Sequence, residues 1–154
     1  MQTDSKKIDK ANLLYRMGFL TRRWRQMLDG AFQSSGLTDA AWRPLLHLHH
    51  LGDGIRQKDL AASLGIEGPS LTRILDQLIA RGFIERIEDA RDRRAKLLTL
   101  STQGRKMVAR IAGDVETLEH DLLSQFSEEE IGRMASFVER LENTLQETRS
   151  RLKA

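Results

Sequence analysis

The chain has 154 residues, 40% hydrophobic and 31% charged, with a net charge of +3 and no cysteine. That length suits one domain with an appended helical part and is ample for a core. The missing cysteines exclude disulfides, thiolate metal sites and cysteine redox sensing, and no window approaches the ~18 apolar residues of a membrane span.

The segment Met1 to Lys10 has no apolar stretch behind its basic residues, so it does not read as a secretory signal, and a cytoplasmic location is expected. Charge is unevenly spread: residues 1–56 and 57–110 each carry +4, and residues 111–154 carry −5. Such asymmetry suits a polyanion-binding part joined to a part with another task.

Apolar residues at Leu13, Leu14, Met17, Leu20, Trp24, Met27, Leu28 and Phe32 make one helical stripe and predict a helix over Ile8–Phe32. Ser34-Ser35-Gly36 ends it. A second helix starts at Thr38 or Asp39 as N-cap, with Pro44 expected near its first turn and Gly52-Asp53-Gly54 closing it. Ile55-Arg56 reads as a short strand. Gln57 to Leu64 is a third helix stopped by Gly65. Pro69 suits the first position of a fourth helix running to about Arg81, with Leu71, Ile74, Leu75, Leu78 and Ile79 as its buried stripe. Phe83 to Ile87 and Lys96 to Leu100 are antiparallel strands joined by the extended turn Asp89 to Ala95. Ser101 caps a helix to about Phe126. Ser127 and Glu130 form a capping box for the last helix, to about Leu152.

The central order is that of a helix-turn-helix with a β-hairpin appended. The expected fold is therefore mainly α, a winged helix-turn-helix over 37–100. Long helices in 1–36 and 101–154 would form a dimerisation region. Their amphipathic stripes flank the central unit, and two interdigitating copies bury them more easily than one; a monomeric bundle is the alternative. The second helix of such a unit enters the major groove and presents its N-terminal residues to base edges. Here those are Pro69, Ser70, Thr72 and Arg73. Arg73 can pair bidentately with guanine, Ser70 or Thr72 can bond phosphate or base, and Pro69 or the Thr72 methyl can touch a thymine methyl. The bland reading is a solvated helix face.

The turn Asp89-Ala90-Arg91-Asp92-Arg93-Arg94 interleaves acids with arginines. Asp89 and Asp92 are expected to pin some guanidinium groups by side-chain pairing, leaving others outward for the narrow minor groove. Arg91 and Arg93 are the candidates for that role, with Asp92 and Arg94 partly positional. A solvated charged turn is the plain alternative.

L-A-A-S-L-G-I-E-G-P-S-L-T-R-I-L-D-Q-L-I-A-R-G-F-I-E-R, followed by D-A-R-D-R-R-A-K-L-L-T-L-S-T-Q-G, resembles the MarR family of bacterial transcription regulators, and the G-I-E-x-P-S-L-x-R-x-L-D-Q-L pattern its SlyA-like branch. Leu37 to Leu45 and the terminal helices fit too; Ala90 stands where proline is common. The resemblance implies a winged-helix homodimer on pseudo-palindromic double-stranded DNA. It also implies release by a small aromatic carboxylate or phenolic effector, bound between the dimer helices and the DNA-binding lobe. Candidates to line that pocket are Arg22, Trp24, Arg25, Trp42 and Leu46. Arg22 or Arg25 would pair with a carboxylate and Trp42 would stack on a ring. Leu46 departs from relatives in which a polar residue such as histidine helps hold a ligand. The alternative is a core tryptophan and two surface arginines.

His47, His49 and His50 invite a metal reading, but only His47 and His50 share a helix face, and no carboxylate or thiol completes a zinc site. No metal and no cofactor are expected. No Ser/His/Asp set, phosphate-binding glycine loop or metal-ligand spacing points to an enzyme. The remaining alternative is a protein–protein adaptor, since winged helices also dock proteins.

Overall fold

The computed structural model describes residues 7–153, the side chains at 39 and 40 excepted; the part of the polar N-terminal segment before Lys7 lies outside the described residues. The elements are α1 (Leu13–Phe32), α2 (Asp39–Leu51), β1 (Ile55–Arg56), α3 (Gln57–Leu64), α4 (Gly68–Ala80), β2 (Ile84–Glu88), β3 (Lys96–Leu100), α5 (Thr102–Leu123) and α6 (Glu128–Lys153). The fold is mostly helical with a three-stranded antiparallel sheet ordered β1-β3-β2. Glu88 pairs with Lys96 and Ile84 with Leu100, while Ile55 pairs with Leu98 on the other edge of β3. The chain forms two compact units, one up to Val115 and one from Glu116 onward.

In the first unit, the helical stripes converge on one core. Leu45 and Leu48 of α2, Leu60 of α3, Leu71, Leu75 and Leu78 of α4, Leu98 of β3, and Val108 and Ile111 of α5 are all buried. Each such side chain contributes on the order of 1.5–3 kcal/mol on leaving water. Gly65 makes the tight turn from α3 to α4 possible: its φ of +66° is left-handed, and its N–H closes the helix on Ala62 O. Gly104 is needed for a different reason. A Cβ there would lie 1.9 Å from the Phe83 carbonyl oxygen, so α5 packs against the chain leaving α4 only with a hydrogen at this position.

Several element ends depart from the sequence expectation. The first helix begins at Leu13, not Ile8, because the Asp9 carboxylate accepts the Ala11 and Asn12 N–H groups and holds a turn there. Pro44 lies deeper in α2 than its first turn and is fully buried, trading one helical hydrogen bond for core packing. α4 starts one residue before Pro69, at Gly68. α5 stops at Leu123, three residues short of Phe126. The expected caps form: Ser101 Oγ accepts the Gly104 N–H at 3.0 Å, and Ser127 and Glu130 exchange bonds of 2.8 and 3.2 Å.

In the second unit, α6 buries none of its residues. Its apolar side chains nonetheless recur in alternating steps of three and four: Ile131, Met134, Val138, Leu141, Leu145 and, after Thr148, Leu152.

Candidate nucleic-acid interface

α4 buries Leu71, Leu75 and Leu78 and thereby turns Pro69, Ser70, Thr72 and Arg73 to the outside, all four exposed. Pro69 sits in the first turn, where its missing N–H costs nothing. The Thr72 hydroxyl is already engaged. It donates to Gly68 O at 3.0 Å and accepts from Gln57 Nε2 at 2.8 Å. Its donor is therefore satisfied inside the protein, so the hydroxyl has no hydrogen left to give a phosphate. Gln57, the first residue of α3, is a supporting residue that local sequence spacing does not reveal. Arg73 makes no ion pair with any described residue.

One turn further on, Asp76 is spent within the fold. It accepts from Arg86 of β2 at 3.1 Å, tying α4 to the hairpin.

At the hairpin tip the acids act differently from the expected pairing. Asp89 is buried, 8% exposed. Its carboxylate accepts the Arg91 N–H at 2.9 Å and the Arg56 guanidinium at 3.0 Å. Asp92 accepts the Arg94 N–H at 3.0 Å. The acids thus order the tip's backbone, and Asp89 binds an arginine of β1 rather than one of its own turn. The Arg91 N–H and then Arg56 hold the Asp89 carboxyl below the usual carboxylate range, against burial, which pushes it up. Arg91, Arg93 and Arg94 are all exposed, and none forms a salt bridge with a described residue.

A further bridge anchors the sheet. Asp53, in the loop before β1, accepts Arg105 of α5 at 2.7 Å and the Thr99 hydroxyl of β3 at 2.8 Å. Arg105 first and Thr99 second lower its carboxyl pKa.

The residues considered for an effector pocket fall on two helices. Arg22 of α1 is exposed, Trp24 and Arg25 are half-buried, and Leu46 of α2 is half-buried. Trp42 is only 3% exposed; its Nε1–H donates to Asp29 at 2.7 Å, and its ring meets Phe32 edge-on at 5.3 Å. As placed, it joins α1 to α2 and leaves no open face on which another ring would stack. His47 Nδ1 lies 2.7 Å from the Ser63 hydroxyl of α3. Burial first, then the charges of Arg43 and His50, lower its pKa. Among the described residues no three His, Cys, Asp or Glu side chains cluster as a metal site would require. No helix of the described residues is long and apolar enough to cross a membrane.

A family model described as the MarR family matches residues 35–95. The solved structure of the transcriptional regulator PA3341 is 33% identical, covers 86% of this chain and 97% of its own, and superposes with a TM-score of 0.80. The MepR–DNA complex of S. aureus is 27% identical over 89% of this chain and 99% of that one, with a TM-score of 0.73. The transcriptional regulator SlyA, 23% identical over 89% and 96%, shares the fold with a TM-score of 0.77.

Proposed function

The chain belongs to the MarR family of transcriptional regulators, and on that premise we propose that it binds double-stranded DNA sequence-specifically, as a homodimer on pseudo-palindromic sites. The observation that carries this reading is the joint presentation of two basic readers. The exposed start of α4 bears Ser70 and Arg73, and the hairpin tip bears Arg91, Arg93 and Arg94 without an ion-pair partner among the described residues. The Arg86–Asp76 bridge ties the two together. In this reading Arg73 pairs with a guanine edge in the major groove, Ser70 bonds phosphate or base, and Pro69 with the Thr72 methyl touches apolar base surface. Arg91 and Arg93 enter the minor groove, with Arg94, Asp89 and Asp92 setting the tip's shape. That a relative, MepR, is described as a complex with DNA supports the assignment.

Residues 37–100 would be the reader, and the helices in 1–36 and 101–154 the dimerisation region. The reason is physical: Leu14, Leu20 and Met27 on α1, and Met134, Phe137 and Leu145 on α6, stand exposed, and a second copy would remove them from water. Half-sites then fall about 10 bp apart, one helical turn. A small aromatic carboxylate acting through Arg22 or Arg25 would release DNA by favouring a different spacing of the two readers, and only by its differential affinity for the two spacings. With Trp42 in the core, Trp24 and Leu46 are left as the apolar contacts for such a ligand.

The test is selection of bound duplexes from a random pool, with and without salicylate-like compounds, followed by salt titration. Affinity should fall steeply with salt, with a slope of about −0.9 per phosphate neutralised. A flat salt dependence and an unenriched pool would overturn the reading.

A further inference from the structure

Between the start of α3 and the tip and descending strand of the hairpin, with Gly68 at the start of α4 on its edge, lies a cleft of about 470 Å³, lined by Arg56, Gln57, Lys58, Gly68, Asp92, Arg94 and Lys96 among others. Four of the lining side chains are cationic against one carboxylate. Arg56 is partly neutralised by Asp89. Lys58, Arg94 and Lys96 are exposed and form no salt bridge with a described residue. The Asp92 carboxylate is turned to the Arg94 N–H. An ordinary solvated loop offers neither a concave shape nor this imbalance of charge.

The cleft's position says what would fill it. If α4 reads the major groove and the hairpin tip the adjacent minor groove, one sugar-phosphate strand separates those grooves. That strand has to pass between the start of α4 and the hairpin, and the cleft borders that path: the start of α3 and the hairpin wall it, and Gly68 of α4 stands at its edge. We infer that this cleft seats a backbone phosphate of the DNA strand crossing from helix to wing, with Lys58 and Lys96 as its principal cations and Arg94 at its rim. The inference rests on the reading of the chain as a DNA-binding regulator. It assigns Lys58 and Lys96, which lie on neither the expected recognition face nor the expected tip, to fixing register rather than reading sequence. Gln57 lines the same cleft and holds Thr72, so the seated strand would abut the side chain that supports the reading face.

The experiment uses the full chain and a duplex selected from a random pool. Affinity is followed by fluorescence anisotropy over a salt series for the wild type, for the Lys58→Ala/Lys96→Ala variant and for the charge-keeping Lys58→Arg/Lys96→Arg variant. The alanine variant should weaken selected and scrambled duplexes alike, about fivefold or more at ~0.15 M salt, and its salt slope should be shallower by about 1 to 2. The arginine variant should keep the wild-type slope. Replacing single phosphates of the duplex by neutral methylphosphonates should reveal one position per half-site that weakens the wild type and leaves the alanine variant unchanged. An unchanged slope in the alanine variant overturns the inference, as does a loss confined to the selected duplex. So does saturable binding of inorganic phosphate at Lys58 and Lys96 without any change in DNA binding. A wild type that binds no duplex would instead refute the proposed function, and the inference with it.

Discussion

α4 and α6 are both amphipathic helices, yet they stand in opposite relation to their own chain. α4 spans 13 residues and fully buries Leu71, Leu75 and Leu78. α6 is twice as long, has the more regular apolar spacing, and buries nothing. The difference shows that apolar periodicity specifies a face without specifying what covers it. For α4 the covering is intramolecular, which frees its other side for a ligand. For α6 the regular seam of Ile131, Met134, Val138, Leu141 and Leu145 has the spacing that packs helix on helix, and a second copy of the chain is the proposed cover.

The contrast can be broken most decisively at α6. Deleting residues 127–154 is expected to abolish the dimer in sedimentation experiments, and a truncated chain that still sediments as a dimer would show that this seam is not the interface. Next in size is Gly104→Val, which acts on the intramolecular side. The added carbons meet the Phe83 backbone, so the unfolding free energy, followed by thermal melting, should fall by the ~1–3 kcal/mol of an overpacked core or more, with dimerisation spared in whatever fraction remains folded. Arg73→Ala leaves both packing arrangements alone. It should cost ~1–3 kcal/mol in binding and relax preference for the selected duplex; undiminished discrimination against a scrambled duplex would remove Arg73 from the readers. Asp76→Asn loosens the tie to Arg86 without touching the exposed face. Because Asp76 is largely exposed, its effect on stability should stay within ~1 kcal/mol, and urea denaturation would measure it.

The smallest expected effect is a pH dependence. His47 has its folded-state pKa lowered, first by burial. Between that value and the unfolded ~6.5, the unfolded chain holds a proton that the folded chain does not. Stability is therefore full above ~6.5 and declines as pH falls through that window. His47→Gln should flatten this limb of the denaturation profile, and an unaltered profile would assign the limb elsewhere. Asp89 contributes in the opposite residue class but in the same direction. Its folded pKa is lowered by the Arg91 N–H and Arg56, so its contribution is present above ~3.9 and is lost as pH falls through the folded value.

Much of the fold was legible because its signals are local. The stripe of α4, the left-handed Gly65 and the caps at Ser101 and Ser127 are read from residues at most a few positions apart. The outward positions of α4 were legible for the same reason, since the buried stripe dictates which residues face out. The side chains that hold the site were not. Gln57 meets Thr72 across 15 residues, Arg56 meets Asp89 across 33, and Arg105 meets Asp53 across 52. No spacing rule joins such pairs. Asp89 illustrates the cost: its own turn carries Arg91, Arg93 and Arg94, which makes pairing within the turn the natural expectation, but the β1–β3 pairing brings the Arg56 strand alongside and the turn's own N–H takes the other oxygen. Trp42 shows the reverse case, where an apparent ligand platform is a core residue once Phe32 and Asp29 close around it.

By itself the sequence determined the mainly α winged helix-turn-helix, the helix expected to read DNA and the family resemblance, because periodicity, capping and turn chemistry act over one or two turns of chain. The tertiary structure decided which polar groups are spent on holding the reader and which remain outward. It also formed the basic cleft from α3, α4 and the hairpin. Those outcomes depend on which distant strands and helices become neighbours, and burial enforces that choice only when the whole core assembles.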